Sequence, residues 1–514
     1  MSKCKKGDIM AIQILCATFF GVEGVIVNVE IDISYGLPTF NIVGLGDVAV
    51  KESKERVRAA IINSGFEFPV GRITINLAPA ALKKEGSHFD LPIAIGLLVA
   101  TDQISVESME GYLFMGELSL NGHLKRIKGA LPIIIEGVKH GIHKYIIPEE
   151  NIEECSIVKN AEVYPLETLT QVVNYLKYKD MMPHKVNKEF KSIVNELDFS
   201  EVIGQEATKR ALEVAAAGNH NILLHGAPGS GKTMLAQRII SILPELTYEE
   251  SLEVTKIYSV SEGVGKTGLI NTRPFRNPHH TITSIALIGG GRNPSPGEVS
   301  YAHNGVLFLD EILEFNKTCL QVLRQPLEEK EVKLSRVSGT IKYPANFMLV
   351  GALNPCPCGY FGTNVKSCKC SDYEVKKYAS RLSGPILDRI DIFSSVNPIS
   401  YEEINKRAYG ESSEDIRFRV NKARKLQRER FKGEGISCNS QMKEKHLREY
   451  CQLNDKSNRV LELAFKKFSL STRAYSRILK VARTIADLNE KAKIDEKDII
   501  EALQYRKFID ESII

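Results

Sequence analysis

Asn221-Ile-Leu-Leu-His-Gly-Ala-Pro-Gly-Ser-Gly-Lys-Thr233 decides how this sequence is read. Its core, Gly226-Ala227-Pro228-Gly229-Ser230-Gly231-Lys232-Thr233, is a P-loop. The apolar Ile222-Leu223-Leu224 predicts a buried parallel strand, and Thr233 to Ile240 predicts the helix that follows it. Glycines in such a loop let consecutive N–H groups converge on phosphate oxygens, and the helix N-terminus adds partial positive charge. Lys232 is expected to reach the β- and γ-phosphates of ATP, and Thr233 to ligate Mg²⁺.

Working outward, 514 residues predict about three domains. A hydrophobic content of 43% with 25% charged residues is that of a soluble globular chain. No apolar run reaches the roughly 18–20 residues of a membrane span. The basic start Met1-Ser-Lys-Cys-Lys-Lys6 is interrupted by Gly7 and Asp8 before any apolar segment, so a signal peptide is not expected and the cytoplasm is the expected compartment. Ten cysteines in a chain of this length do not make a disulfide scaffold. The net charge of +5 is only a weak pointer to an anionic partner.

Residues 1–177 read as an α/β domain. Val27, Val29, Ile31 and Ile33 alternate with polar residues, as do Ile73, Ile75 and Leu77, predicting half-buried strands. Helices are predicted over Lys51–Asn63 and Leu91–Ala100, and Gly116 to Gly122 reads as a hairpin turning at Asn121-Gly122. The run Lys84-Glu-Gly-Ser-His-Phe-Asp-Leu-Pro-Ile-Ala-Ile-Gly-Leu97, followed by that hairpin, resembles the proteolytic domain of Lon proteases, which has a ribosomal S5 domain 2-like fold and works through a Ser–Lys dyad. In that alignment His88 stands at the serine position and Leu131 at the lysine position. Ser87 is one place off, and Lys125 and Lys128 miss the match. A hydroxyl without a positioned base is a poor nucleophile, so a Lon-like fold without peptidase chemistry is expected. Residues 178–196 read as a polar linker.

Asp198 to Gly218 opens the nucleotide domain, with a helix over Gln205–Ala217 stopped by Gly218. Such a segment resembles the one that packs on the adenine in AAA+ ATPases. Gly305-Val-Leu-Phe-Leu-Asp310-Glu311 is an apolar strand ending in two carboxylates. Asp310 is expected in the Mg²⁺ shell, and Glu311 as the base that polarises the attacking water. Leu349-Val-Gly-Ala-Leu-Asn354 predicts a further strand, whose tip Asn354 matches the water-orienting sensor 1 of AAA+ proteins. Within Ser383-Gly-Pro-Ile-Leu-Asp-Arg389, Arg389 matches the arginine finger of magnesium-chelatase-like modules, with Arg381 as the alternative. Such a finger acts on a neighbouring subunit, which implies a ring. Beyond residue 400 the composition is helical. Leu470-Ser-Thr-Arg473 and the helix after it resemble the lid element carrying sensor 2, which puts Arg473 toward the γ-phosphate.

Two stretches exceed a minimal ATPase core. One, 273–292, carries Arg273, Arg276, His279-His280 and Arg292, at the place where helix-2-insert AAA+ proteins have a pore loop; its arginines suit phosphate contacts with DNA. The adjacent histidines suit loop structure or DNA better than metal. The other holds Cys356, Cys358, Cys368 and Cys370 within fifteen residues. Four soft thiolates suit tetrahedral Zn²⁺, whereas C-x-C spacing leaves free reduced thiols open as the alternative.

With these in place, nearly the whole chain resembles the YifB/ComM family of Mg-chelatase-like AAA+ ATPases. The resemblance implies a Lon-like N-terminal domain, a P-loop α/β core over 197–399 and an all-α lid over 400–514. It implies a hexameric ring using ATP and Mg²⁺ and, for the competence branch, a helicase that drives branch migration of single-stranded or branched DNA during natural transformation. The competing expectations are a chelatase motor, an ATP-dependent protease, and an ATPase scaffold working through protein partners.

Overall fold

The computed structural model describes residues 11–81, 84, 86–184, 197–261, 268–291, 294–336, 339–363, 366–382, 384–399, 410–468 and 470–506. It forms two compact units. One gathers 1–191, 248–270 and 333–343, and the other gathers 192–247, 271–332 and 344–514.

The second unit is built on a five-stranded sheet. Its strands are β1 (Ile222–His225), β2 (Phe275–Arg276), β3 (Val306–Leu309), β4 (Met348–Leu353) and β5 (Ile392–Ser395). They lie in the order β2-β3-β4-β1-β5, every pair parallel. β3 and β4 are apolar throughout, and β1 is apolar up to His225, because a parallel sheet is covered on both faces. Parallel pairing also puts all strand ends of one sense along one edge, where such folds place their ligands. The helix α1 (Glu206–Gly218) and α2 (Lys232–Ile242) share the sheet's core. α1 runs one residue further than its sequence predicts. The left-handed residue that ends it is Asn219, at φ +56°, and Gly218 is its last helical residue. Asparagine tolerates that conformation better than most side chains do.

Four further helices follow towards the C-terminus: α3 (Ser413–Arg430), α4 (Asp455–Lys467), α5 (Thr472–Leu488) and α6 (Glu496–Gln504). Ile478, Val481, Ala482 and Ile485 of α5 join the same core as Ile222 and Leu224. A buried polar chain runs beside this apolar contact. His220 meets Thr484 at 2.8 Å, and Asn439 donates to both Thr484 (3.0 Å) and Asp487 (2.8 Å). The expected boundary at 399/400 lies outside the described residues, as does 185–196 of the expected linker.

In the first unit, Ile12–Phe20, Glu23–Ser34, Arg72–Ala78 and Thr39–Val43 form a sheet in that order, the last pair parallel and the others antiparallel. Against it lies the Asp90–Ala100 helix, buried from Asp90 to Val99. Burying Asp90 requires a partner, and Arg56 supplies one at 2.7 Å and 3.0 Å. A parallel sheet of Tyr112–Phe114, Lys144–Pro148 and Glu162–Leu166 completes the layer. The hairpin of Glu117–Leu118 with Leu124–Lys125 turns through five residues, 119 to 123, and not through Asn121-Gly122 alone. Gly122 N–H donates to Ser119 O, and Gly122 takes φ +77°. The Tyr248–Ser259 helix belongs here too: Ser259 O accepts from Gly129 N–H, and Tyr248 Oη donates to Ile157 O at 2.8 Å. Among the described residues no helix is long and apolar enough to cross a membrane.

One buried side chain ties the second unit's sheet together. Asn221, just before β1, accepts from Leu349 N–H of β4 at 2.9 Å and donates to Arg389 O, ahead of β5, at 2.8 Å. Asn221→Ala orphans both groups. It should cost about 2–6 kcal/mol, taking roughly 1–3 kcal/mol for each buried group left unpaired. A fall in thermal unfolding temperature is the readout. Wild-type melting of this variant would contradict the assignment.

Candidate nucleotide-binding site

The chain leaves β1 at His225 and must turn sharply to start α2 at Lys232. Gly229 (φ +76°) and Gly231 (φ +94°) occupy the left-handed region where a Cβ would be strained. The first amides of α2 therefore open onto the loop. Lys232 Nζ donates to Gly226 O (2.7 Å), Ala227 O (2.9 Å) and Asn354 Oδ1 (3.1 Å). Burial pulls its pKa below the usual lysine value, while the Asp310 and Glu311 carboxylates push it back up. Thr233 Oγ1 donates to Asp310 Oδ2 at 2.7 Å. These two hard oxygens side by side fit a Mg²⁺ ligand set. Ser230 Oγ is buried with no hydrogen-bond partner among the described residues, which fits a cradle for phosphate oxygens. Glu311 follows Asp310 in a left-handed conformation, φ +49°, and its N–H donates to Asp310 Oδ1 at 2.9 Å. Strain of this kind in a non-glycine residue persists only where the surrounding structure imposes it.

Lys232, Thr233, Asp310, Glu311 and Asn354 are thus gathered at the C-terminal ends of β1, β3 and β4. Arg389 and Arg473 are not among them. Arg389 is bonded to Asn221 at the start of β1, and the strand's four residues span about 13 Å before the loop begins. The Arg389 guanidinium is buried against Glu328, and burial is the main cause that lowers its pKa. Arg473 pairs with Asp388 at 3.3 Å. Both arginines line a cleft of about 330 Å³ with Arg477 and Lys480, and Glu328 and Asp388 face them. Arg477, which also pairs with Asp391, was missed by the sequence reading. Its position four residues after Arg473, on one face of α5, was the available signal. Arg381 pairs with Glu314 at 3.0 Å.

The four cysteines converge. Cys356 and Cys358 sulfurs are 3.3 Å apart, Cys356 and Cys368 3.7 Å, Cys358 and Cys368 3.5 Å, and all four lie within 4.8 Å of one another. A tetrahedron with Zn–S bonds near 2.3 Å has sulfur–sulfur edges of about 3.8 Å, so the donor set fits Zn²⁺. Phe361 N–H and Cys370 N–H donate to Cys356 and Cys368 sulfurs, both at 3.4 Å.

Arg273 and Arg276 are engaged by the protein itself. Arg273 donates to Asn304 O (2.6 Å) and Glu245 O (3.3 Å), and Arg276 forks onto Glu298 at 2.6 Å and 2.8 Å. Arg292 lies outside the described residues. The rings of His279 and His280 lie 4.1 Å apart, and His279 Nδ1 meets Thr281 Oγ1. In the first unit, Ser87 Oγ donates to the Glu117 carboxylate, Leu131 is fully buried, and burial holds His88 down at a pKa of about 4.

A parallel sheet in this order, with a P-loop beside a strand-end aspartate, defines a P-loop ATPase fold of the AAA+ type. The magnesium chelatase subunit ChlI family matches residues 198–404, its C-terminal family matches 410–506, and a further ChlI family matches 29–151. Competence protein ComM of Haemophilus influenzae is 42% identical over 496 residues, 95% of this chain and 96% of that one. The protein YifB of Escherichia coli is 42% identical over 488 residues, 95% of each. The chain belongs to the YifB/ComM family of Mg-chelatase-like AAA+ proteins, which implies ATP and Mg²⁺ as the ligands of this site.

Lys232→Ala removes the side-chain cation that, among the described residues, the cluster holds, and should abolish binding of a fluorescent ATP analogue. Glu311→Gln should keep that binding while lowering turnover about 10²–10⁴-fold, the usual worth of a positioned base. Full-rate hydrolysis by Glu311→Gln would remove Glu311 as the base.

Proposed function

We propose that this protein is a Mg²⁺-dependent ATPase that works as a homo-oligomeric ring of six and translocates on DNA. In this reading the loop amides and Lys232 hold the phosphates. Thr233 and Asp310 hold Mg²⁺, which when bound draws charge from the phosphate oxygens. Asn354 orients the attacking water, and Glu311 takes its proton. Residues 1–177 are read as a Lon-like domain without peptidase chemistry, 197–399 as the motor core and 400–514 as the lid. The four cysteines are read as the ligands of Zn²⁺.

The single observation behind the ring is the separation of Arg389 and Arg473 from Lys232 by the length of β1. An arginine side chain cannot cover that distance within one chain. Both arginines therefore serve a neighbour's γ-phosphate, and each active site is completed by two subunits. Arg389→Ala should keep ATP affinity and lose about 10³–10⁵ in turnover, the usual worth of an arginine finger. Mixing it with Glu311→Gln should restore some hydrolysis, because some interfaces then pair an intact Glu311 with an intact Arg389. No recovery in rings proven mixed by mass would end the trans assignment.

DNA as the track rests on the likeness to a competence protein over nearly the whole chain and on the segment 273–292. Since Arg273 and Arg276 have protein partners, we assign them to shaping that segment and Arg292 to the phosphate contact. Contacts of this kind are electrostatic and sequence-tolerant. Forked DNA should stimulate hydrolysis, with affinity falling steeply with salt, and Arg292→Ala should flatten the salt slope by about one unit. The matches to a chelatase subunit keep a protein-directed motor as the second reading. ATPase activity indifferent to DNA at low salt would favour it.

A further inference from the structure

The Cys356–Cys370 loop has a position as well as a donor set. It begins two residues after Asn354, whose side chain accepts from Lys232. Between its second and third cysteines the chain turns through Gly359, at φ +85°, with Gly359 N–H donating to Cys356 O at 2.9 Å. That turn rests on the nucleotide loop. A Cβ added at Gly359 would lie 2.5 Å from both Cγ and Cδ of Pro228. Pro228 is the central residue of the stretch from Gly226 to Ser230, whose backbone has to hold its amides toward phosphate. Cys356 is fully buried, which anchors the start of the loop against the sheet, while Cys358, Cys368 and Cys370 are half-buried. The 356–370 loop has little regular structure of its own: 366–370 carries no helix or strand, and Asn364 and Val365 lie outside the described residues.

We propose that the metal held by these four thiolates is a brace for the ATP site: it fixes the Gly359 turn against Pro228, and through it the shape of the P-loop. This rests on the readings of Zn²⁺ at the cysteines and ATP at Lys232. Four bonds to one ion replace the core that so short a loop lacks. With the ion in place Gly359 bears on the tip of the P-loop, and Asn354 is held two residues from the first ligand. Without it the loop gains conformations that no longer press on Pro228, and nucleotide binding must then restore the P-loop's order at a cost in affinity. Zinc occupancy therefore sets ATP affinity, with no zinc ligand touching the nucleotide.

The test uses the full-length protein. Elemental analysis should find one zinc per chain. A zinc-selective chelator, applied with Mg²⁺ kept in excess, should weaken the affinity for a fluorescent ATP analogue about tenfold or more. Added Zn²⁺ should restore it, with far-ultraviolet circular dichroism unchanged throughout. Gly359→Ala should keep its zinc and still bind the analogue several-fold more weakly, because the methyl group displaces Pro228. Zinc-free protein that binds the analogue at full strength, with the four thiols titrating as free, would overturn the zinc reading and the brace together. One zinc per chain with affinity unchanged on its removal would overturn the brace alone. Lys232→Ala that retains both zinc and full ATP affinity would overturn the ATP-site reading instead.

Discussion

The bond from Lys232 Nζ to Asn354 Oδ1 joins residues 122 positions apart, and the site depends on what makes that bond possible. β1 and β4 are parallel neighbours, in register Ile222 with Val350 through His225 with Leu353, so the chain emerges from both at the same edge. β3 pairs with β4 in the same sense, which delivers Asp310 to Thr233. An antiparallel partner at either position would send Asn354 or Asp310 to the far side of the sheet. The chemistry is therefore a consequence of strand direction, which the apolar faces of α1, α2 and α5 enforce by covering the sheet.

What could be read from the chain beforehand was whatever short spacing carries. The P-loop, the Asp310-Glu311 strand end and Asn354 at the tip of a third apolar run are local patterns, and the structure brings them together at one edge. Arg273 and Arg276 have partners that a local reading does not reveal. Basic residues beside a glycine run suggest phosphate, yet the acceptors that engage them are Asn304 O, 31 residues on, and Glu298, 22 residues on. Nothing near either arginine announces these partners. For 248–270 and 333–343, composition does not distinguish them from the sequence around them, yet they gather with the first unit. Asn219 in place of Gly218 as the helix stop is a smaller case, decided by which of two adjacent residues takes positive φ.

The cysteines sit between these extremes. C-x-C spacing by itself allows free thiols, because two residues of separation do not set the direction of the sulfurs. The turn at Gly359 and the approach of Cys368 and Cys370 set it, and the turn lies against Pro228. The spacing therefore shows which atoms are available, and the tertiary seat shows that they meet.

β1 also links the two groups of charged residues although they are apart. Its last residue leads into the P-loop. At its start, Asn221 Nδ2 holds Arg389 O and Asn221 N–H donates to Asp391 Oδ2 at 3.1 Å. Asp391 is fully buried and ionised, its carboxyl held far below the usual range because Arg477 and His220 outweigh the cost of burial. Arg477 belongs to α5, and so does Thr484, which bonds His220. The start of β1, the arginine cleft and the helical region are thus one hydrogen-bonded body built around a charge that cannot be left unpaired. A strand of four residues, paired on both sides, has no slack to absorb a displacement at its P-loop end. The P-loop end of β1 and the Arg389 and α5 contacts at its start are thus the two ends of one short strand.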